Sequence, residues 1–213
     1  TGVQTCALPI YTVAAAPVVS LVNDTGKSLS DRITSDAALK ITGIESGATV
    51  EYSIDGGSTW KGTFTAVEGA NTVRVRQTDV AGNVSTGSTA LSFTLDTKAP
   101  AALGVSLYID SGSSATDRIT KVGTLFLSNL ESGSTLSYSI DGGKSWSPTF
   151  TAKEGANAVV VRQIDAAGNA SDGTAIDFTL DTKAPAVLTV ALANDTGSSA
   201  TDKITSDGSL DRK

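Results

Sequence analysis

The segment Val50-Glu51-Tyr52-Ser53-Ile54-Asp55-Gly56-Gly57 carries the signature of a strand that runs into a turn. Apolar and polar residues alternate from Val50 to Ile54, the period of a strand with one buried face. Asp-Gly-Gly then supplies positions that accept positive φ without steric cost, so the strand is expected to stop in a tight antiparallel turn. The block Ser53 to Gly57 recurs as Ser139-Ile140-Asp141-Gly142-Gly143, 86 residues further on.

Working outward, the same shift of 86 relates Thr63-Phe64-Thr65-Ala66 to Thr149 through Ala152, Glu68-Gly69-Ala70-Asn71 to Glu154 through Asn157, and Ala81-Gly82-Asn83 to Ala167 through Asn169. Phe93 through Pro100 returns as Phe178 through Pro185 at a shift of 85, so one residue is lost in between. Such self-similarity marks a tandem array. Complete copies are expected at 16–98 and 99–183, with a third opening at 184 and ending at 213. About thirty residues are too few to close a two-layer core, which predicts a truncated copy. Residues 1–15 precede the repeats, and the first ten have no counterpart before Ala99-Pro100 or Ala184-Pro185. They read as a boundary segment, and Cys6 receives no role.

Further alternating runs define the remaining inward faces: Leu39 and Ile41, Val73 and Val75, Leu91, Phe93 and Leu95, with Leu125 and Leu127, Val159 and Val161, and Ile176, Phe178 and Leu180 in the second copy. No stretch keeps a helical period. The expectation is an all-β chain of tandem sandwiches with about seven strands per complete repeat. Trp60 and Trp146 are expected to seal one end of each sandwich.

Composition narrows the function. Histidine is absent, cysteine occurs once, and 22 acidic residues against 16 basic ones give a formal charge of -6. That removes the usual general base near neutral pH, a His/Cys zinc cluster and an internal disulfide. It also offers no cationic footprint for nucleic acid. No apolar run is long enough for a membrane-spanning helix, so direct membrane insertion is not expected. Paired carboxylates serve glycosidases, yet here the acids recur with the repeat and lie near turns, so no enzyme is expected.

Asn23-Asp24-Thr25-Gly26, Ser53 through Trp60, Val75-Arg76-Gln77-Thr78-Asp79-Val80-Ala81-Gly82-Asn83 and Leu95-Asp96-Thr97-Lys98-Ala99-Pro100 together resemble the bacterial immunoglobulin-like repeats of giant biofilm-associated and type I-secreted adhesins. The resemblance implies immunoglobulin-like sandwiches joined end to end in a long extracellular protein, on the bacterial surface or secreted. It also implies calcium stiffening at some junctions. The partners it implies are neighbouring repeats in a longer chain and a host or bacterial surface. The alternative reading is a carbohydrate-binding accessory module, in which Trp60, Trp146, Tyr52 and Tyr138 would stack on sugars.

The aspartates are the candidate metal ligands, since calcium takes six to eight oxygens from carboxylates, carbonyls and water. Asp79 in its loop and Asp96 in the linker are expected to meet Asp110 and Asp117 from the opening loop of the next copy. Asp165, Asp181, Asp195 and Asp202 form the equivalent set one boundary later, and Asp24 and Asp31 would face a preceding repeat. The same side chains equally suit turn capping. No organic cofactor is expected.

Overall fold

The computed structural model describes residues 13–212, so Cys6 and the other first residues lie outside it. The chain divides into two compact units, one ending at Leu180 and the other beginning at Asp181. The first unit holds both complete repeats.

Repeat 1 contains β1 (Val18–Leu21), β2 (Ile33–Thr34), β3 (Leu39–Thr42), β4 (Thr49–Ser53), β5 (Gly69–Thr78) and β6 (Leu91–Leu95). β1 pairs antiparallel with β3, while β2-β6-β5-β4 form the facing four-stranded sheet. β2 runs parallel to β6, Ile33 against Thr94 and Thr34 against Leu95. Repeat 2 copies this plan with β7 (Gly104–Leu107), β8 (Ile119–Thr120), β9 (Leu125–Ser128), β10 (Thr135–Ser139), β11 (Gly155–Ile164) and β12 (Thr174–Leu180). Its sheets are β7-β9 and β8-β12-β11-β10. The second unit carries β13 (Val190–Leu192) paired with β14 (Leu210–Arg212).

The cores are those the alternation predicts. Val73, Leu91, Phe93 and Leu95 are buried in repeat 1, with Val19, Leu21, Leu39, Tyr52, Phe64 and Ala66 packed against them. Leu103, Val159, Val161, Ile176 and Phe178 do the same in repeat 2. Each core has an aromatic spine: Tyr52 stacks on Phe64 at 6.3 Å and Phe64 meets Phe93 edge-on at 6.5 Å, repeated by Tyr138, Phe150 and Phe178. Such geometries follow the ring quadrupole.

Among the described residues each complete repeat has six strands, close to the expected seven or so. The would-be seventh, around Phe64, contributes its side chains to the core but only an isolated bridge, Tyr52 to Lys61, to the ladders. Ile54 and Ile140 leave the core face and are 67% and 64% exposed. Their strands end one residue earlier, where the Ser53 hydroxyl donates to Asp55 Oδ1 (2.8 Å) and accepts the Gly57 N–H (2.8 Å), so the turn overrides the alternation. Trp60 and Trp146 do not seal a sandwich end. They lie on the outer face of the larger sheet, each Nε1 donating to the carbonyl of Gly57 or Gly143, with Arg76 and Arg162 over the rings at 4.5 and 3.8 Å. Gly87 makes room for this: a Cβ there would stand 3.1 Å from Trp60 Cη2.

The residue that repeat 2 lacks is the counterpart of Ser88. In repeat 1 Ser88 bulges out, its hydroxyl accepting the Val75 N–H (2.9 Å) and its own N–H donating to the Val75 carbonyl (2.7 Å), and regular pairing begins at Val73 with Leu91. Without that residue, β12 pairs continuously as far as Val161 with Thr174.

Candidate functional site

The repeats of the first unit meet through two loops and the linker. The opening loop of repeat 1, between β1 and β2, is organised by Thr34, which is fully buried. Its hydroxyl stands 3.1 Å from the carbonyls of both Asn23 and Asp36 and accepts the Asp36 N–H. Because β2 is parallel to β6, this loop returns to the end of repeat 1 from which the linker leaves: the Asp96 N–H donates to the Thr34 carbonyl at 2.9 Å. Asp24 Oδ2 accepts the N–H of Arg32 at 2.8 Å, and Arg32 holds a φ of 61°.

Thr25 and Gly26 then face repeat 2. The Thr25 hydroxyl accepts the Ser35 N–H (2.7 Å) and donates to the Ala167 carbonyl (2.6 Å). Gly26, at φ 95°, lies so close that a Cβ would stand 1.9 Å from the Ala166 carbonyl oxygen, and a Cβ at Gly168 would stand 3.0 Å from the Gly26 nitrogen. Only glycine allows backbone to approach backbone this way. Asn169 completes the joint: its side-chain amide donates to the Asp96 carbonyl (2.8 Å) and to Asp165 Oδ2 (2.9 Å), while Asp165 Oδ1 accepts the Asn169 N–H. Asp165 and Ala167 are buried, whereas Asp79 is half-buried and Val80 and Ala81 are exposed in repeat 1.

On the far side of the linker, Gln163 fastens the incoming chain. It is wholly buried, and its amide donates to the carbonyls of Ala101 (2.7 Å) and Asn129 (3.0 Å) while its oxygen accepts the Glu131 N–H (2.8 Å). Gln77 does the same with Ala15, Gly43 and Glu45. A buried amide meeting all these partners avoids the cost of an unpaired polar group. The chain is therefore held on both sides of the short segment from Thr97 to Pro100.

The predicted aspartate sets are distributed differently. β5 and β6 are antiparallel, so Asp79, past one end of β5, and Asp96, past the end of β6, lie at opposite ends of repeat 1, on the order of 30 Å apart for a ten-residue strand. Asp96 instead meets Asp165, through Asn169, beside the loop of Asp24 and Asp31 from its own repeat. Asp110 and Asp117 serve the far end of repeat 2: Asp110 Oδ2 accepts the Arg118 N–H and Asp117 Oδ1 the Ile119 N–H, where β8 joins β12 at Thr179 and Leu180. Asp181, Asp195 and Asp202 fall in the second unit, accepting the N–H groups of Lys183, Lys203 and Ile204. Hydrogen bonds from the Asn83 side chain and N–H hold Asp79 below the ordinary carboxylate range.

Among the described residues, no three acidic, histidine or cysteine side chains stand together as a metal would require. One oxygen in each copy nonetheless lacks a donor: Asp24 Oδ1, Asp110 Oδ1 and Asp195 Oδ1 are shut off from solvent without a hydrogen bond. The aromatics considered for sugar stacking form no exposed row, since Tyr52 and Tyr138 pack on the cores and the indoles lie beneath arginines.

Residues 12–97 match the family model described as a bacterial Ig-like domain. A solved structure described as fibronectin(III)-like modules of Clostridium thermocellum CbhA is 14% identical, over 77% of this chain and 93% of that one, with a TM-score of 0.41. No curated protein matches the sequence.

Proposed function

We propose that the chain is a structural spacer of a bacterial surface adhesin, in which successive Ig-like domains are fastened to one another by direct contact and carry an adhesive region away from the cell. The observation that supports this reading is the joint of repeats 1 and 2, where Thr25 bonds Ala167, Gly26 lies against Ala166 and Gly168, and Asn169 grips the linker at Asp96. A short linker held at both sides resists independent tumbling of its domains. Bacterial Ig-like domains occur commonly in extracellular and surface proteins, which supports an extracellular location, and the family is typically non-catalytic.

Calcium at the joints is the second part of the reading. It is favoured by the unpartnered oxygens of Asp24, Asp110 and Asp195, repeated in every copy. A hard cation would take such an oxygen, with backbone carbonyls and water completing its shell. Asp24 and Asp31 would be the contributors from the opening loop of repeat 1; bound there, calcium would supply charge neutralisation and added order.

Spin labels at Thr72→Cys and Ala158→Cys, in a Cys6→Ser background, test both parts. A narrow distance distribution that survives chelation, and that Gly26→Val broadens, is the expected result. A distribution already broad without Gly26→Val refutes the direct joint. Calcium is expected to bind and to narrow again the distribution that Gly26→Val broadens; no binding, or no narrowing of that variant, refutes the ion.

A further inference from the structure

The two repeats share a backbone but differ in one ion pair. In repeat 1 Glu51 and Arg76 face each other across β4 and β5, with Glu51 Oε2 2.8 Å from Arg76 Nε, and the guanidinium stands 4.5 Å from the Trp60 ring centre. In repeat 2 the residue opposite Arg162 is Ser137. The guanidinium has settled closer to its indole, 3.8 Å from the Trp146 centre, and its Nε is buried with no acceptor. A charged donor left unpaired in this way is unfavourable, so the site is poised for an incoming acceptor.

The surroundings differ in the same direction. Where the outer face of β5 carries Thr72, Arg74 and Thr78, that of β11 carries Ala158, Val160 and Ile164. Lys144 replaces Ser58 on the turn before the tryptophan. The result is a guanidinium stacked on an indole beside weakly polar residues, with a second cation on the adjoining turn.

We propose that this face of repeat 2 binds the uronic-acid units of an acidic polysaccharide, the sugar carboxylate taking the position that the Glu51 carboxylate takes in repeat 1. A guanidinium fork matches a carboxylate with two donors in one plane. The CH face of a pyranose ring lies against Ala158 and Val160, and its hydroxyls stay in water. On binding, the guanidinium lifts from Trp146 toward the spacing seen at Trp60. β11 is hydrogen-bonded to β10 on one side and β12 on the other, so the centre of the face offers no free strand edge for an extended peptide. This goes beyond the spacer reading, giving the array an adhesive contact of its own, and its test does not involve the joint.

The test is calorimetric titration of the full chain with a uronic-acid trisaccharide, a neutral trisaccharide of the same linkage, and a glutamate-rich peptide. One uronic-acid site per chain is expected, weakened by salt, with no heat from the neutral sugar and less than tenfold weaker variation when Lys144 is replaced by serine. Ser137→Glu fills the position from within, as in repeat 1, and is expected to abolish binding while leaving the melting temperature unchanged or raised. Glu51→Ser combined with Thr72→Ala and Arg74→Val gives repeat 1 the surroundings of Arg162 and is expected to raise the stoichiometry from one to two. Absence of uronic-acid binding, equal binding of the neutral sugar, tighter binding of the peptide, or binding that survives Ser137→Glu would each overturn the proposal. Should Ser137→Glu fail to fold, the stoichiometry of the triple variant of repeat 1 decides alone.

Discussion

Replacing Gln163 by glutamate changes one atom's chemistry at a fully buried position, and the consequence can be worked out from its three hydrogen bonds. One carboxylate oxygen would keep the Glu131 N–H, while the other would point at the carbonyls of Ala101 and Asn129, 2.7 and 3.0 Å from the present nitrogen. Charged, it repels both; protonated, it donates to one of them. Its pKa in the folded state is therefore raised above the unfolded value of about 4.3, and stability relative to wild type falls as pH rises from that value to the folded pKa. The limiting slope is about 1.4 kcal/mol per pH unit and tapers near each pKa, so the variant loses about 2.2 kcal/mol between pH 5 and 7 if the folded pKa reaches 7. That is a large share of the roughly 5–15 kcal/mol that stabilises a domain. Each repeat carries one tryptophan, so Trp60→Phe leaves Trp146 to report repeat 2 alone in urea titrations at several pH values. Below pH 4 only the loss of one hydrogen bond remains, about 1 kcal/mol. A Gln163→Glu variant whose deficit does not change with pH would refute the clamp, because its carboxylate would then be in water and not against the linker carbonyl.

Two further outcomes are expected. Deleting Ser88 should convert the bulge of repeat 1 into the continuous ladder of repeat 2, leaving urea stability within about 1 kcal/mol of wild type and giving new slow-exchanging amides near Val75. Asp141 is held well below the ordinary carboxylate value of 3.8, first by the Ser145 hydroxyl, then by the Ser145 N–H and the Ser139 hydroxyl. A depressed folded pKa stabilises above the unfolded pKa and is lost as pH falls through the folded one, so Asp141→Asn should flatten the acid limb of repeat 2 below about pH 4, read from Trp146 fluorescence.

Much of the architecture was legible because burial leaves a period in the sequence. Val73 and Val75, or Phe93 and Leu95, announce their face, and a shift of 86 residues announces the copies. The same period extended one step further reaches Gln77 and Gln163, the next inward positions after Val75 and Val161. A polar residue there, at the end of an apolar alternation, was the available signal for the clamp. The joint was harder to read. Asp24 and Asp96 are 72 residues apart and share one end only because two residues, Ile33 and Thr34, pair parallel with β6. A two-residue strand has no periodicity to detect, so the sequence alone does not show which neighbour the opening loop faces. The covering of the tryptophans leaves no mark in the sequence for a similar reason: it depends on Gly87 and Gly173 clearing space beneath the rings, and a space-making glycine looks the same in sequence as a turn glycine.

Each complete repeat carries the Thr-Gly loop, or its Ser-Gly counterpart in repeat 2, at one end and the Asp-x-Ala-Gly-Asn loop at the other. These are unlike surfaces, and at the joint of repeats 1 and 2 they fit as a plug and a socket, so that contact is heterologous and does not close on itself. An in-register duplication of one repeat inserts one of each, leaving no mismatched pair and requiring no new complementary surface. Unequal recombination between copies can therefore lengthen or shorten such a gene by whole plug-and-socket units, so that reach changes without a new kind of contact surface.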